Sequence, residues 1–172
     1  GWAPVVLPHQ LVPLSANYFS QARSQIASWY RLHLPTPAGL EDGRVFLDFD
    51  GVMMVADVYV NGRAAFTHRG GYVGFSVDIT PFLLTRKGAD NVVAVRVDGR
   101  LQDDIPPCGR VMDFQTFGGI YRDVRLRVVP GCYLDALFVR TPNPLAARKT
   151  VTAAVTVRNT RAADWRCAAR LE

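Results

Sequence analysis

The residues best placed to do chemistry in this sequence are carboxylates in one long segment, residues 101–117. Asp103 and Asp104 are adjacent there, and Asp113 follows near the end of the segment. Two neighbouring carboxylates can contribute to a cation site, but solvated loop charges are the favoured interpretation of Asp103 and Asp104. Taken by itself, Asp113 is typical of a solvated or turn-capping loop aspartate. Loops of this length between strands are often functional.

Two aromatic side chains, Phe114 and Phe117, lie in the same segment. They could form an apolar wall against a bound ring, or they could fill the core, which is the favoured interpretation. The glutamates are Glu41, in a predicted loop, and Glu172, at the last position. These two predict no catalytic pair, so no catalytic residue is assigned.

The other reactive residue types are scattered. None of the histidines has a partner at the spacing of a metal site or of a nucleophile and its base, and the cysteines show neither a C-x-x-C motif nor zinc spacing. No metal and no cofactor are therefore predicted. The residues concerned are His9, His33, His68, Cys108, Cys132 and Cys167.

Composition narrows the class of protein. The net charge of +5 comes from dispersed arginines, whereas binding to nucleic acid needs a clustered basic stripe. No segment approaches the roughly 20 apolar residues of a membrane-spanning helix. We expect neither a nucleic-acid nor a membrane partner. Cytoplasmic and exported locations both stay open.

Hydrophobic patterning predicts an all-β fold. Short runs rich in Val, Phe, Tyr and Leu are separated by Gly, Pro, Asn and Asp every 8 to 15 residues or so, as in sandwiches and barrels. Asn61-Gly62 is the strongest hairpin signal. Helical evidence is limited to a turn or two within Ser15–Ile26 and one turn within Pro81–Thr85. The predicted strands are Trp29–Leu34, Arg44–Phe49, Ala56–Val60, Gly74–Ile79, Asn91–Val97 and Tyr121–Val129.

A second unit is predicted to begin near Pro130-Gly131. Its predicted strands are Tyr133–Thr141, Thr150–Asn159 and Trp165–Leu171. Three strands leave too much unpaired edge for a stable sandwich. We therefore expect this unit to be the beginning of a larger domain.

Seven motifs, in this order, resemble glycoside hydrolase family 2, which includes β-galactosidases, β-glucuronidases and β-mannosidases. Each motif alone is weak, but their shared order is specific. They are Val6-Leu7-Pro8-His9, Trp29-Tyr30-Arg31, Asp57-Val58-Tyr59-Val60-Asn61-Gly62, His68-Arg69-Gly70-Gly71-Tyr72, Phe75-Ser76-Val77-Asp78-Ile79-Thr80, Asn91-Val92-Val93-Ala94-Val95-Arg96-Val97-Asp98 and Gly118-Gly119-Ile120-Tyr121-Arg122-Asp123-Val124.

The resemblance implies a galactose-binding-like jelly-roll sandwich over residues 1–129, followed by the first strands of an immunoglobulin-like sandwich over 130–172. In that family the two catalytic glutamates lie in a downstream (β/α)8 barrel, so this chain alone is expected to be inactive. Asp113 matches an aspartate that, in the β-galactosidase branch, reaches from this domain into the active site, with Phe114 beside it. The remaining motif residues are expected to specify the fold: Asn61, Gly62, Gly70, Gly71, Tyr72, Asp78, Gly118, Gly119, Tyr121 and Arg122.

Two functions compete at this point. The first is a non-catalytic sugar-binding domain of a β-galactosidase-like retaining hydrolase, whose partners would be a glycoside and the barrel. The second is a free-standing carbohydrate-binding or adhesion sandwich, which would need an exposed row of aromatics. Against it, the aromatic side chains look scattered or placed in the core: Trp2, Trp29, Tyr72, Phe114 and Phe117. The glycoside and the oligomeric state stay open.

Overall fold

The computed structural model describes residues 1–13, 21–38, 40–86, 88–106, 114–166 and 168. Strands dominate this part of the chain, and the fold is all-β with antiparallel sheets. Two 3₁₀ turns, Gln21–Arg23 and Thr80–Phe82, are the helical elements described. The strands are β1 (Ala27–Pro35), β2 (Arg44–Phe49), β3 (Val55–Val60), β4 (Arg63–Arg69), β5 (Phe75–Asp78), β6 (Asp90–Asp98), β7 (Val124–Val129), β8 (Cys132–Arg140) and β9 (Thr152–Asn159).

The first compact unit comprises residues 1–38 and 45–127. It contains a four-stranded sheet in the order β1-β6-β3-β4 and a three-stranded sheet in the order β5-β2-β7. Side chains alternate strictly between buried and half-buried along β2 and β3, because successive residues of a strand face opposite sides of the sheet. The buried faces form a sandwich core that includes Val58 and Val95 from one sheet and Leu47 from the other.

Strands β3 and β4 are joined by the predicted Asn61-Gly62 turn. Asn61 has φ of 51° and Gly62 of 77°, as the favoured two-residue hairpin turn requires. The Asn61 side chain also accepts a hydrogen bond from Val92 N (2.9 Å) and donates to Asn91 Oδ1 (2.8 Å). The turn is therefore tied to β6 as well as to its own hairpin.

Strand β7 departs from the sequence expectation. It begins at Val124 instead of Tyr121, and its regular alternation does not produce a buried apolar face. Leu126 is 43% exposed and Val128 is 41% exposed. The arginine between them is held by a carboxylate of the neighbouring strand β2: Arg127 Nε lies 2.6 Å from Asp48 Oδ2.

The second compact unit comprises residues 39–44 and 128–172. Strands β8 and β9 pair with each other, with a register shift between Leu134 and Ala136. Cys132 is a buried free thiol at the start of β8. The predicted strand Trp165–Leu171 lies largely outside the described residues, and Trp165 and Arg166 are not in a strand. The domain boundary at residue 129/130 stays a prediction.

Candidate functional site

The segment that follows β6 is fixed at its start by a buried carboxylate. Asp98, at the end of β6, is 5% exposed. It accepts hydrogen bonds from Arg100 N (3.1 Å), Arg100 Nε (2.8 Å) and Arg96 Nη2 (3.0 Å). The Arg100 guanidinium, ahead of the Arg96 guanidinium, holds the pKa of Asp98 well below its usual range because both stabilise the charged form. These bonds tie the start of the segment to the end of β6.

A second anchor lies a few residues further on. Arg69 Nη2, at the end of β4, lies 2.8 Å from both carboxylate oxygens of Asp104. Beside this pair, Ile105 packs in a buried cluster with Met53 and Met54. Of the two adjacent aspartates, Asp104 is therefore engaged by an arginine. This pairing argues against a cation site formed by Asp103 and Asp104.

The far end of the segment is held by aromatic packing. The rings of Phe117 and Tyr121 stack with centroids 4.9 Å apart and planes 6° from parallel. The Tyr121 hydroxyl donates a 2.6 Å hydrogen bond to Gly71 O, and burial raises the pKa of that hydroxyl. Thr116, between the exposed and the stacked phenylalanine, is fully buried.

Gly119 allows the N-terminal segment around His9 to pack closely against the end of segment 101–117. Its φ is +100°, a conformation that residues with a Cβ rarely adopt. A Cβ there would also meet the Tyr30 hydroxyl and would lie 3.0 Å from His9 O. Because the glycine allows close approach, His9 N donates to Ile120 O at 2.7 Å.

Of the two residues predicted to bind substrate, Asp113 lies outside the described residues, which stop at 106 and resume at 114. Phe114 is 46% exposed, so the expectation that it fills the core is wrong. Phe117 is half-buried against Tyr121. A binding role for Asp113 and Phe114 stays a prediction.

The motif residues occupy structural positions in the fold. Arg122 Nη1 donates to Tyr72 O (3.3 Å), and Asp78 Oδ1 accepts from Thr80 N (3.0 Å) at the start of the second 3₁₀ turn. Gly70 has φ of +149°. A Cβ on Gly71 would collide with the Met53 side chain.

Sequence reasoning missed the residues that anchor the segment, notably Arg69, Asp98 and Arg100. One signal was available: Arg96, Asp98 and Arg100 alternate with apolar residues or glycine, which places one acid between two bases at a strand end. No comparable signal connects Arg69 to Asp104.

No group of three or more His, Cys, Asp or Glu side chains forms a candidate metal site within the described ranges. In the same part of the chain, no helix is long and apolar enough to span a membrane.

Comparison with known proteins agrees with this geometry. Residues 9–130 match the sequence model of the sugar-binding domain of glycosyl hydrolases family 2. A β-galactosidase of Thermoanaerobacter pseudethanolicus is 39% identical over 136 residues, which is 78% of this chain and 18% of that protein. A β-glucuronidase of Bacteroides fragilis is 39% identical over 109 residues, which is 63% of this chain and 15% of that protein.

The fold agrees as well. A crystal structure of a Bacteroides uniformis β-glucuronidase superposes with a TM-score of 0.74 at 33% identity, over 88% of this chain and 18% of that one. The chain thus spans less than a fifth of the length of these relatives. Because the family model covers residues 9–130 and the β-sandwich agrees with it, this chain belongs to glycosyl hydrolase family 2, and residues 9–130 are the part that matches its sugar-binding domain.

Proposed function

We propose that this chain is the non-catalytic N-terminal sugar-binding domain of a retaining glycoside hydrolase with β-galactosidase-like specificity. Its segment 101–117 would complete the substrate pocket of a (β/α)8 barrel that follows in the parent enzyme. The carbohydrate and that barrel would be its partners.

The observation that carries the proposal is the segment's construction. Its two ends are fixed by Asp98 and by the Phe117–Tyr121 stack, while Phe114 beside Asp113 is exposed. A loop that is held at both ends has less conformational entropy to lose when it presents side chains to a neighbouring domain. A carboxylate at position 113 could accept charge-assisted hydrogen bonds from two adjacent sugar hydroxyls.

The relatives favour this function over a free-standing module. Proteins named β-galactosidase and β-glucuronidase contain a region similar to this chain as 15–18% of their length. Both names denote hydrolases of β-glycosides, and the choice between galactoside and glucuronide is part of the test.

The experiment uses the product of the complete reading frame. Asp113→Asn and Asp113→Ala should lower kcat/KM for an aryl β-galactoside about 10- to 100-fold, since each lost hydrogen bond to a charged group is worth about 1.5–3 kcal/mol. Phe114→Ala should mainly raise KM. Asp103→Asn changes an exposed aspartate of the same segment and serves as the matched control.

The proposal fails if the reading frame encodes no barrel with two glutamates, or if the Asp113 variants match the control. If the Asp113 substitutions lower activity on a β-glucuronide but not on a β-galactoside, the proposed pocket stands and its specificity is for the glucuronide.

A further inference from the structure

The outward face of the four-stranded sheet carries an aromatic pair that segment 101–117 does not include. In the register of this sheet, Trp29 on β1 is opposite Arg96 on β6, which is opposite Asp57 on β3. The buried faces of β3 and β6 hold valines such as Val58 and Val95. Trp29 therefore lies on the outer face, and it is 50% exposed. The expectation that it is scattered or in the core is wrong.

Trp29 does not stand alone. Its ring lies 5.6 Å from that of Tyr59 on β3, with the planes inclined by 36°. The contact passes over β6, where Ala94 is the neighbour of Tyr59 and its small side chain leaves room above the sheet. The two rings form an aromatic platform, defined here as Trp29 and Tyr59. Aromatic faces of this kind pack against the C–H faces of pyranose rings.

One side of the platform is bordered by an unbalanced positive charge. Arg31 is opposite Ala94, on the other side of it from Tyr59. Its guanidinium lies 4.4 Å over the Trp2 ring. Within the described part of the chain, Arg31 has no carboxylate partner, whereas Arg96 pairs with Asp57 (3.1 Å) and Asp98 (3.0 Å).

The other side of the platform offers fixed polar groups. Asp57 accepts hydrogen bonds from Thr67 Oγ1 (2.8 Å) and Arg96 Nη1 (3.1 Å). The side chains of Arg96 and Asp57 are 30% and 22% exposed, so this polar row reaches solvent. Because both are held in place, they could bond to sugar hydroxyls at little entropic cost.

We propose that the Trp29–Tyr59 platform and Arg31 form a second carbohydrate site that binds an acidic oligosaccharide. A uronate ring would stack on the platform while its carboxylate pairs with the Arg31 guanidinium, a geometry that arginine favours. The unbalanced charge selects a uronate over a neutral sugar. This site goes beyond the proposed function, because none of its residues lies in segment 101–117.

The test measures binding of a galacturonate trisaccharide and of its carboxyl-reduced neutral counterpart to the intact protein by calorimetry. The acidic sugar should bind about 10-fold more tightly, the factor expected for a gain of about 1.4 kcal/mol. Trp29→Ala should weaken binding of both sugars at least 10-fold, and Trp29→Tyr should restore part of it. Arg31→Gln should abolish the preference for the acidic sugar while leaving the neutral one nearly unchanged.

Trp165→Ala is the matched control, because Trp165 is a similarly exposed tryptophan (49%) outside the platform. The proposal is overturned if neither sugar binds at millimolar concentration, if both bind equally, or if Trp29→Ala behaves as Trp165→Ala does. Asp113→Asn should leave this binding unchanged. If Asp113→Asn abolishes binding and Trp29→Ala does not, the sugar occupies the pocket of the proposed function and the second site is refuted.

Discussion

Three side chains at the end of β6 show how single residues prepare the recognition loop. Arg96 and Arg100 converge on the buried carboxylate of Asp98, and the Arg100 guanidinium contributes most to its lowered pKa. Because this pairing lowers the pKa of Asp98, the stability that the pair contributes depends on pH in the acid range. Hydrogen bonds contribute more to this lowered pKa than charge alone does, because Asp98 accepts bonds from both the side chain and the backbone N–H of Arg100.

Replacing Asp98 with Asn should lower the free energy of unfolding by about 2 kcal/mol at neutral pH, because hydrogen bonds to a charged group are lost. The folded-state pKa lies below the unfolded value of about 3.9, so this stabilisation is present above about pH 4 and disappears as the pH falls further. Urea unfolding at several pH values measures it. Asp104→Asn, which breaks an exposed pair, should cost no more than about 1 kcal/mol. Equal losses for both variants would contradict the assignment.

His68 is a second residue whose environment sets a pH dependence. Its ring stacks on Phe75 with centroids 4.1 Å apart, and burial lowers its pKa despite contacts with the Gly70 and Val73 backbone. As the pH falls below about 6.5, the unfolded state takes up a proton before the folded state does. Stability should therefore be lower at about pH 5.5 than at about pH 7.5. His68→Phe should reduce this difference, measured by thermal unfolding, and His33→Gln is the control. An undiminished difference in His68→Phe would assign it to another group.

At the scale of elements, the sequence predicted most strands because one sheet face is buried and the other is not. Strand β2 matches its predicted bounds, and β1, β3, β5 and β6 are shifted by one or two residues at their ends. Strand β4, Arg-Ala-Ala-Phe-Thr-His-Arg, has no clear alternation and could be anticipated only as the partner of β3 across Asn61-Gly62. For β7 the predicted alternation was correct, but its apolar side chains are not buried. The periodicity of a sequence does not show what covers each face of a sheet.

The Asn61-Gly62 turn between β3 and β4 is the best place to test what a single structural element contributes to stability. Asn61→Ala should lower the free energy of unfolding by about 2–3 kcal/mol, because it removes hydrogen bonds to Val92 N and Asn91 and because alanine tolerates positive φ less well than asparagine does. Asn61→Gly should cost less, since it keeps the turn conformation. Gly62→Ala isolates the backbone cost of about 1 kcal/mol, because a Cβ at Gly62 would meet nothing within 4 Å.

Chemical denaturation of these three variants gives the order of stability. If Asn61→Gly and Asn61→Ala were equally destabilised, the side-chain network would account for the whole effect. If Asn61→Gly were as stable as the unsubstituted protein, the bonds to β6 would contribute nothing.

At the scale of the whole molecule, the candidate site could be located from sequence only through motif order. Asp113 was identified because it precedes Gly118-Gly119 in a recognised arrangement, and its neighbour Phe114 followed from position. The anchors could not be found that way, because they join distant parts of the chain: Arg69 to Asp104 across 35 residues and Tyr121 to Gly71 across 50. Such pairs follow from strand order, which local patterns do not encode.

Hydrolytic activity is the property that should distinguish this chain from the complete enzyme that we propose. Retaining hydrolysis needs two carboxyl groups about 5–5.5 Å apart on either side of the glycosidic bond. The chain has two glutamates, Glu41 and Glu172, far apart in sequence. In the described first unit, Asp48 and Asp98 are bound by arginines, whose guanidinium groups lower the pKa of each carboxyl and so disfavour the protonated form that a general acid needs.

We therefore expect purified chain of residues 1–172 to hydrolyse neither a nitrophenyl β-galactoside nor a nitrophenyl β-glucuronide above the rate in buffer. The product of the complete reading frame should hydrolyse at least one of them, and circular dichroism of the shorter chain should confirm β structure, so that inactivity is not mistaken for unfolding. The contrary result would be that the folded shorter chain hydrolyses a substrate, retains that activity after repurification and loses it when one aspartate is replaced. That result would place the reacting groups inside this domain. The role of segment 101–117 would then change from completing a pocket to containing one.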